Sequence, residues 1–179
     1  MRSTRAFHSL IIVSMVCGLS IVGPSFAEDV SVAPAPLQGA VLTKLLGFHK
    51  KIAGGGDVTV IVIGNKDFAG AMNSKGVGKP VGKSKIATIT EMDAPPGDAP
   101  AGNTVIYCGD PGQLDATLAY SRQHKVLSMT GDPELVAKGI TLGVGVLNKK
   151  PKILLNLSST KEEDIDWNPA ILKVAVSVN

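Results

Sequence analysis

The chain is poor in the residues that usually carry chemistry or staple an exported fold. It has two cysteines in 179 residues, Cys17 and Cys108. Cys17 lies in an apolar N-terminal run that reads as a removable leader, which leaves Cys108 alone. An intrachain disulfide is then excluded, so stability must come from a packed core. On its strand, Cys108 reads first as a buried small hydrophobe. Histidines are nearly as scarce. Beyond position 27 there are only His49 and His124. Neither has a helical neighbour that suits zinc, and His124 stands at a helix end, where a cation complements the dipole. No metal and no cofactor is implied. There is no Gly-x-Ser-x-Gly elbow, and Trp167 is the single tryptophan. Net charge is small too. Beyond position 27, 16 basic residues face 15 acidic ones, a net +1, so nothing asks for nucleic acid.

What is present begins with a targeting pattern. Arg2 and Arg5 precede an apolar run from Leu10 to Val22, then Gly23-Pro24 and Ser25-Phe26-Ala27. Small residues at 25 and 27 suit signal peptidase, which predicts a secretory signal over 1–27 cut between Ala27 and Glu28. The apolar run is short of the about 20 residues that a membrane span needs. Val16 before Cys17 does not suit a lipoprotein signal. The expected location is the periplasm. Residues 28–36, rich in alanine and proline, read as a flexible leader, and 37–179 as one domain.

Along that domain, Leu37, Val41, Leu45 and Phe48, with Leu42 and Leu46 alongside, space a broad apolar helical stripe, with Lys50 and Lys51 in its last turn and Gly54-Gly55-Gly56 as the stop. The β-branched run Val58–Ile63 suits a strand buried on both faces. A short helix over 67–73, a strand over 86–90, a loop over 93–102 and a strand over 104–108 follow. Asp110-Pro111 and Asp132-Pro133 each open a helix, with a strand over 126–129 between them. Strands at 140–147 and 152–157 are joined by Asn148-Lys-Lys-Pro151, which permits only an antiparallel hairpin. Ser159 with Glu162 reads as a capping box, and the acidic run Glu162-Glu163-Asp164 with Asp166 as lying near a helix start. Pro169 opens a final apolar helix with Ile171, Leu172, Val174 and Val176. The alternation predicts an α/β three-layer sandwich with a mainly parallel central sheet and a C-terminal antiparallel hairpin.

Two glycine motifs are set aside. Gly78-Lys-Pro-Val-Gly82-Lys83-Ser84 has the wrong glycine spacing for a phosphate-binding loop and leads into a strand. Gly54-Gly55-Gly56 ends a helix and so runs in the reverse order. The strand ends are more informative. Gly64-Asn65, Cys108-Gly109-Asp110 and Thr130-Gly131-Asp132 all follow parallel strands and should line one sheet edge, where α/β proteins place ligands. They are the candidate ligand or partner edge, although such residues are also what ordinary βα turns need. A thiol at Cys108, next to a helix N-terminus, is the only nucleophile worth weighing.

The order of segments resembles the YfiR-like family of bacterial periplasmic proteins, from about Leu37 to Val178. The resemblance rests on Val41–Phe48, Val58–Gly64 with Phe68, Thr104–Cys108, Lys125–Met129, the hairpin ending Lys152-Ile-Leu-Leu-Asn156-Leu157, and the closing Ile171–Ala175. Where members often have a tryptophan-proline pair after the opening helix, this chain has Lys50–Gly54, and it lacks the disulfides of some members. The resemblance implies a non-enzymatic regulator that binds an inner-membrane sensor, a cyclase or a histidine kinase. In the type member this binding holds a diguanylate cyclase inactive and lowers cyclic di-GMP signalling, and redox or envelope stress weakens it. The regulator reading includes a homodimer as one form of the chain. The rival readings are a small-solute binding domain using the strand-end turns, and an enzyme using Cys108.

Overall fold

A computed structural model describes residues 30–178. The core of its sheet is the parallel set β2 (Gly56–Ile63), β4 (Ser84–Met92), β5 (Asn103–Cys108), β6 (Leu127–Thr130) and β7 (Leu142–Leu147). The short β3 (Pro80–Val81) caps one edge antiparallel to β4. At the other end β8 (Lys150–Asn156) returns antiparallel to β7, and β9 (Ala175–Val178) runs parallel to β8. The order is β3-β4-β2-β5-β6-β7-β8-β9. The second half of β7 also takes β1 (Ser31–Val32) at Ser31↔Val146. Part of the segment expected as a flexible leader therefore holds a sheet pairing, and Ala33 beyond it is buried. The expected α/β sandwich, mainly parallel with an antiparallel C-terminal hairpin, is the observed architecture.

Strand β2 shows why the sheet must be covered twice. Val58, Val60 and Val62 enter the larger core under α1 (Ala35–Leu46) and α3 (Lys66–Lys75). Ile61 and Ile63 point the other way, to Tyr120 of α4 (Leu114–His124). A strand apolar on both faces leaves no side for water. On that second face Cys108 packs with Leu118, Ile140 and Leu135 of α5 (Pro133–Ala137).

Several local expectations need correction. The opening helix is not continuous to Lys51. It ends at Leu46, and α2 (Lys50–Ala53) is a separate turn. Phe48 and His49 leave the helix because their backbone is claimed elsewhere. The Asn168 amide donates to the Phe48 carbonyl (2.7 Å), Lys50 donates to Asp166 (2.9 Å), and the His49 ring meets Trp167 edge-on at 5.6 Å. Burial, then the nearby Lys51, holds His49 down at about pKa 4, so it is neutral at pH 7. Leu42, Leu45 and Leu46 of the expected stripe are buried, Leu37 and Val41 pack at its margin, and Gln38 and Gly39 join the buried face.

The hairpin connection is two residues, not four. Asn148 and Lys149 both have positive φ (51° and 62°), the type I′ geometry that matches strand twist. Ser159 is not the cap of α6 (Leu157–Glu162). Asn156 is, accepting from the Ser159 amide at 3.0 Å. The same side chain donates to the Val136 carbonyl (3.0 Å), which ties β8 to α5. The final helix is the largest miss. Only Pro169–Lys173 coils, as a 3-10 turn, and Ala175–Val178 is strand β9. The sequence Val174-Ala-Val-Ser-Val178 alternates with period two, and Val176 and Val178 reach Leu154 and Val136.

The acidic run follows α6 instead of opening a helix. Its members separate. Glu162 pairs with Arg122 (2.7 Å) and Asp166 with Lys50 (2.8 Å), both at the surface. Glu163 is fully buried. Its carboxylate accepts from the Ser128 amide (3.0 Å), the Ser128 hydroxyl (2.5 Å) and the Thr141 hydroxyl (2.7 Å). Burial pushes its pKa up, and these donors only partly offset that. A carboxyl whose native pKa lies above its unfolded value binds its proton more tightly when folded. Its contribution is therefore greatest in acid and is lost as pH rises towards the native pKa. His49 slopes the opposite way, losing stability as pH falls from about 6.5 towards 4. The difference between native chain and Glu163→Gln cancels the histidine. In urea titrations from acid to neutral pH, the native chain should lose stability relative to the variant as pH rises. A difference that does not change with pH would refute this.

Candidate functional site

The chain leaves β2 through α3 to β4 on one side, and leaves β5 through α4 to β6 on the other. The strand order reverses between β2 and β5, which is where open α/β sheets carry a crevice. All three strand-end turns singled out from sequence meet at this edge: Gly64-Asn65 after β2, Cys108-Gly109-Asp110 at the end of β5, and Thr130-Gly131-Asp132 at the end of β6.

Their mutual geometry fills the crevice with protein. Gly64 has φ +65°, and a Cβ there would come 2.5 Å from Asp110 Cβ. The Gly109 amide donates to the Ile63 carbonyl (2.8 Å) and the Gly64 amide to Met92 (3.0 Å). The turns after β2 and β5 therefore interlock backbone to backbone. Each helix start is closed by its own side chain. Asn65 Oδ1 accepts from the Phe68 amide (2.9 Å), Asp110 Oδ1 from Gly112 (2.8 Å) and Asp132 Oδ1 from Glu134 (2.9 Å). Two of these caps are carboxylates, standing where an anionic ligand would have to sit. Thr130 Oγ1 accepts from the Asp132 amide (3.1 Å) and donates to the Cys108 carbonyl (2.8 Å), joining the second turn to the third.

The group that closes the third turn was not foreseen. Gly131 lies so near the Gln38 amide of α1 that a Cβ would overlap it. Tyr107 reaches the same place from β5. Its hydroxyl donates to Gln38 Oε1 (2.5 Å) and accepts from the Gly131 amide (3.1 Å). Gln38 Nε2 then donates to the Ala33 carbonyl (2.5 Å). The Tyr107 ring stacks on Phe68 at 3.7 Å, and burial raises its phenol pKa. A signal for Gln38 was available: it stands one turn before Leu42 and two before Leu45, a polar residue in line with the buried stripe.

Cys108 is fully buried. Its thiol donates weakly to the Asp110 carbonyl (3.4 Å), and burial pushes its pKa up, the reverse of what a nucleophile needs. The helix start that was to activate it is already capped by Asp110.

A family model described as YfiR/HmsC-like matches residues 36–176. The chain belongs to the YfiR/HmsC-like family. No curated protein matches it. Within this YfiR/HmsC-like domain the conspicuous motifs acquire structural roles: Asn156 at the end of β8 caps α6 and holds α5, and the Tyr107 strand anchors α1.

Two tests follow from the site. Tyr107→Phe leaves Gln38 Oε1 and the Gly131 amide without their partner, and should cost about 1–3 kcal/mol in urea denaturation. An unchanged midpoint would show that the hydroxyl is dispensable. Cys108, in chain produced from Glu28 onward, should resist a disulfide-exchange reagent while folded and react stoichiometrically in denaturant. Rapid labelling of the native protein would contradict its burial.

Proposed function

We propose that this protein is a non-enzymatic periplasmic regulator that binds the periplasmic part of an inner-membrane sensor, a cyclase or a histidine kinase, alone or as a homodimer. Membership in the YfiR/HmsC-like family supports the regulatory role and the compartment. For a cyclase partner, binding would favour the inactive state and lower cyclic di-GMP synthesis, a coupling free energy between two proteins. No described helix is long and apolar enough to cross a membrane. The signal peptide over 1–27 lies outside the described residues and remains part of this proposal.

One observation on this chain carries the binding surface. Strand β9 is the last in the sheet order, and among the described residues no strand pairs with its outer edge. Just before it stand Leu172 and Val174, 54% and 48% exposed although both are large and apolar. An open strand edge beside unshielded apolar side chains suits a protein partner that pairs backbone and buries Leu172 and Val174 together. The strand-end turns, with the Gly64, Gly109, Gly131 and Asp132 amides committed internally, favour this reading over a small solute.

The test is crosslinking and affinity capture of the mature protein from the periplasmic face. An inner-membrane sensor should be recovered. Leu172→Asp with Val174→Asp should reduce its recovery by about tenfold or more while leaving the melting temperature nearly unchanged, because neither side chain is in the core. Recovery of no membrane protein, or undiminished capture by the double variant, would refute the proposal or its surface respectively.

A further inference from the structure

A second feature lies on the opposite end of the molecule from β9. Charge along the chain is uneven although the total is nearly balanced. Residues 37–90 hold eight lysines and two acids, and no acid occurs between Asp67 and Glu91. The fold gathers part of this excess around one concavity. A groove of about 880 Å³ opens between α1, α3 and the turn leading to β3. Its apolar lining includes Pro36, Ala40, Met72 and Val77, and Lys44, Lys75 and Lys79 line it too, with no acidic residue in the lining among the described residues.

The groove is held in shape by the backbone. The Gly76 and Val77 amides both donate to the Met72 carbonyl (2.6 and 3.2 Å), and Lys79 donates back to Gly76 (3.0 Å). The turn is pinned to β4 by Gly78 donating to Ile86 (2.8 Å) and Ile86 donating to Lys79 (3.2 Å). Gly39 lets α1 approach Met72, since a Cβ there would come 2.9 Å from its sulfur. Val77 is 46% exposed on this wall, an apolar side chain left to water at a concave site.

The lysines are equally uncommitted. Lys50, Lys85 and Lys138 have carboxylate partners, whereas Lys44, Lys75 and Lys79 have none among the described residues. Lys44 lies in the last turn of α1 and Lys75 ends α3, so each complements its own helix dipole. That accounts for each singly, but not for their convergence with Lys79 on one apolar wall. A concave, mostly apolar site with a few convergent charges of one sign is the form of a small-ligand pocket, and its volume lies in the usual range of about 300–1,000 Å³.

We infer that the groove between α1, α3 and the Gly76–Pro80 turn binds a free single-chain amphiphilic anion, its aliphatic body on Ala40, Met72 and Val77 and its anionic head among Lys44, Lys75 and Lys79. The charge complementarity is specific in sign: among the described residues the groove lining contains no acid. A cationic amphiphile would meet repulsion on the same apolar floor, and a neutral one would gain only the floor. Salt weakens the head-group part by screening and leaves the apolar part.

Dodecanoate, held below its micellar concentration, tests this with the full mature chain, by calorimetry and by amide shifts in nuclear magnetic resonance. Saturable binding is expected, with shifts centred on Ala40, Thr43, Ala71 and Val77. The triple variant Lys44→Gln, Lys75→Gln, Lys79→Gln should weaken it by about tenfold, because three exposed ion pairs are lost together. Ala40→Trp fills the groove from an exposed position and should abolish binding with little change in melting temperature. Dodecyltrimethylammonium binding as tightly as dodecanoate would overturn the inference, as would undiminished binding by the triple variant. Binding to phosphatidylglycerol vesicles with none to monomeric dodecanoate would also overturn it, because the lysines would then serve a membrane surface. None of these outcomes bears on capture of a protein partner through β9.

Discussion

The Tyr107 hydroxyl is the joint on which the arrangement of this protein turns. It is buried at the carboxyl edge of the sheet, where an unpaired hydroxyl would be costly, and it is shared between the Gln38 side chain and the Gly131 amide. One contact thereby fixes helix α1, strand β5 and the turn after β6 relative to one another. Through Gln38 it also reaches Ala33, next to the short strand that completes β7. The Phe68 ring stacked on Tyr107 adds α3 to the same joint. Between α1 and α3, both tied to this residue, Met72 packs against Gly39 and lines the groove.

Filling the switch point has a consequence for function. In an open α/β sheet the crevice between the reversed strands is the natural place for a ligand. Here the turns after β2 and β5 interlock, the helix starts are capped from within, and Gln38 lies over Gly131. The surfaces the internal network does not claim are the β9 edge and the lysine-lined groove, and it is there that recognition is proposed. The buried Glu163 works in the same sense at the C-terminal side. It binds the β6 backbone and the Thr141 hydroxyl, so the segment carrying the 3-10 turn and β9 leaves the body of the domain from a fixed point.

Much of the architecture was legible in the chain. Runs of β-branched residues apolar on both faces require a doubly covered sheet, and Asp-Pro pairs announce helix starts whether or not the tertiary structure is known. The strand-end turns were placed on one edge correctly because parallel strands admit no other arrangement. Less legible were the features set by competition between partners. Helix propensity continues through Phe48 and His49, and only the 165–168 segment packed against them explains the break. Ile171, Leu172, Val174 and Val176 fit a helix loosely, but the Val-Ala-Val-Ser-Val alternation becomes decisive once β8 offers an unpaired edge.

The class of fold and the places where each parallel strand ends can be read from the chain, because they follow from local sterics, side-chain period and composition. Tertiary structure alone decided what the strand-end turns do, which carboxylate is buried, and where lysines distant in sequence converge. Those outcomes depend on which polar group reaches a given site first, and Gln38 and Glu163 reach theirs across 69 and 35 residues of chain. No local pattern encodes such distances; they are resolved only when burial forces every donor and acceptor to find a partner.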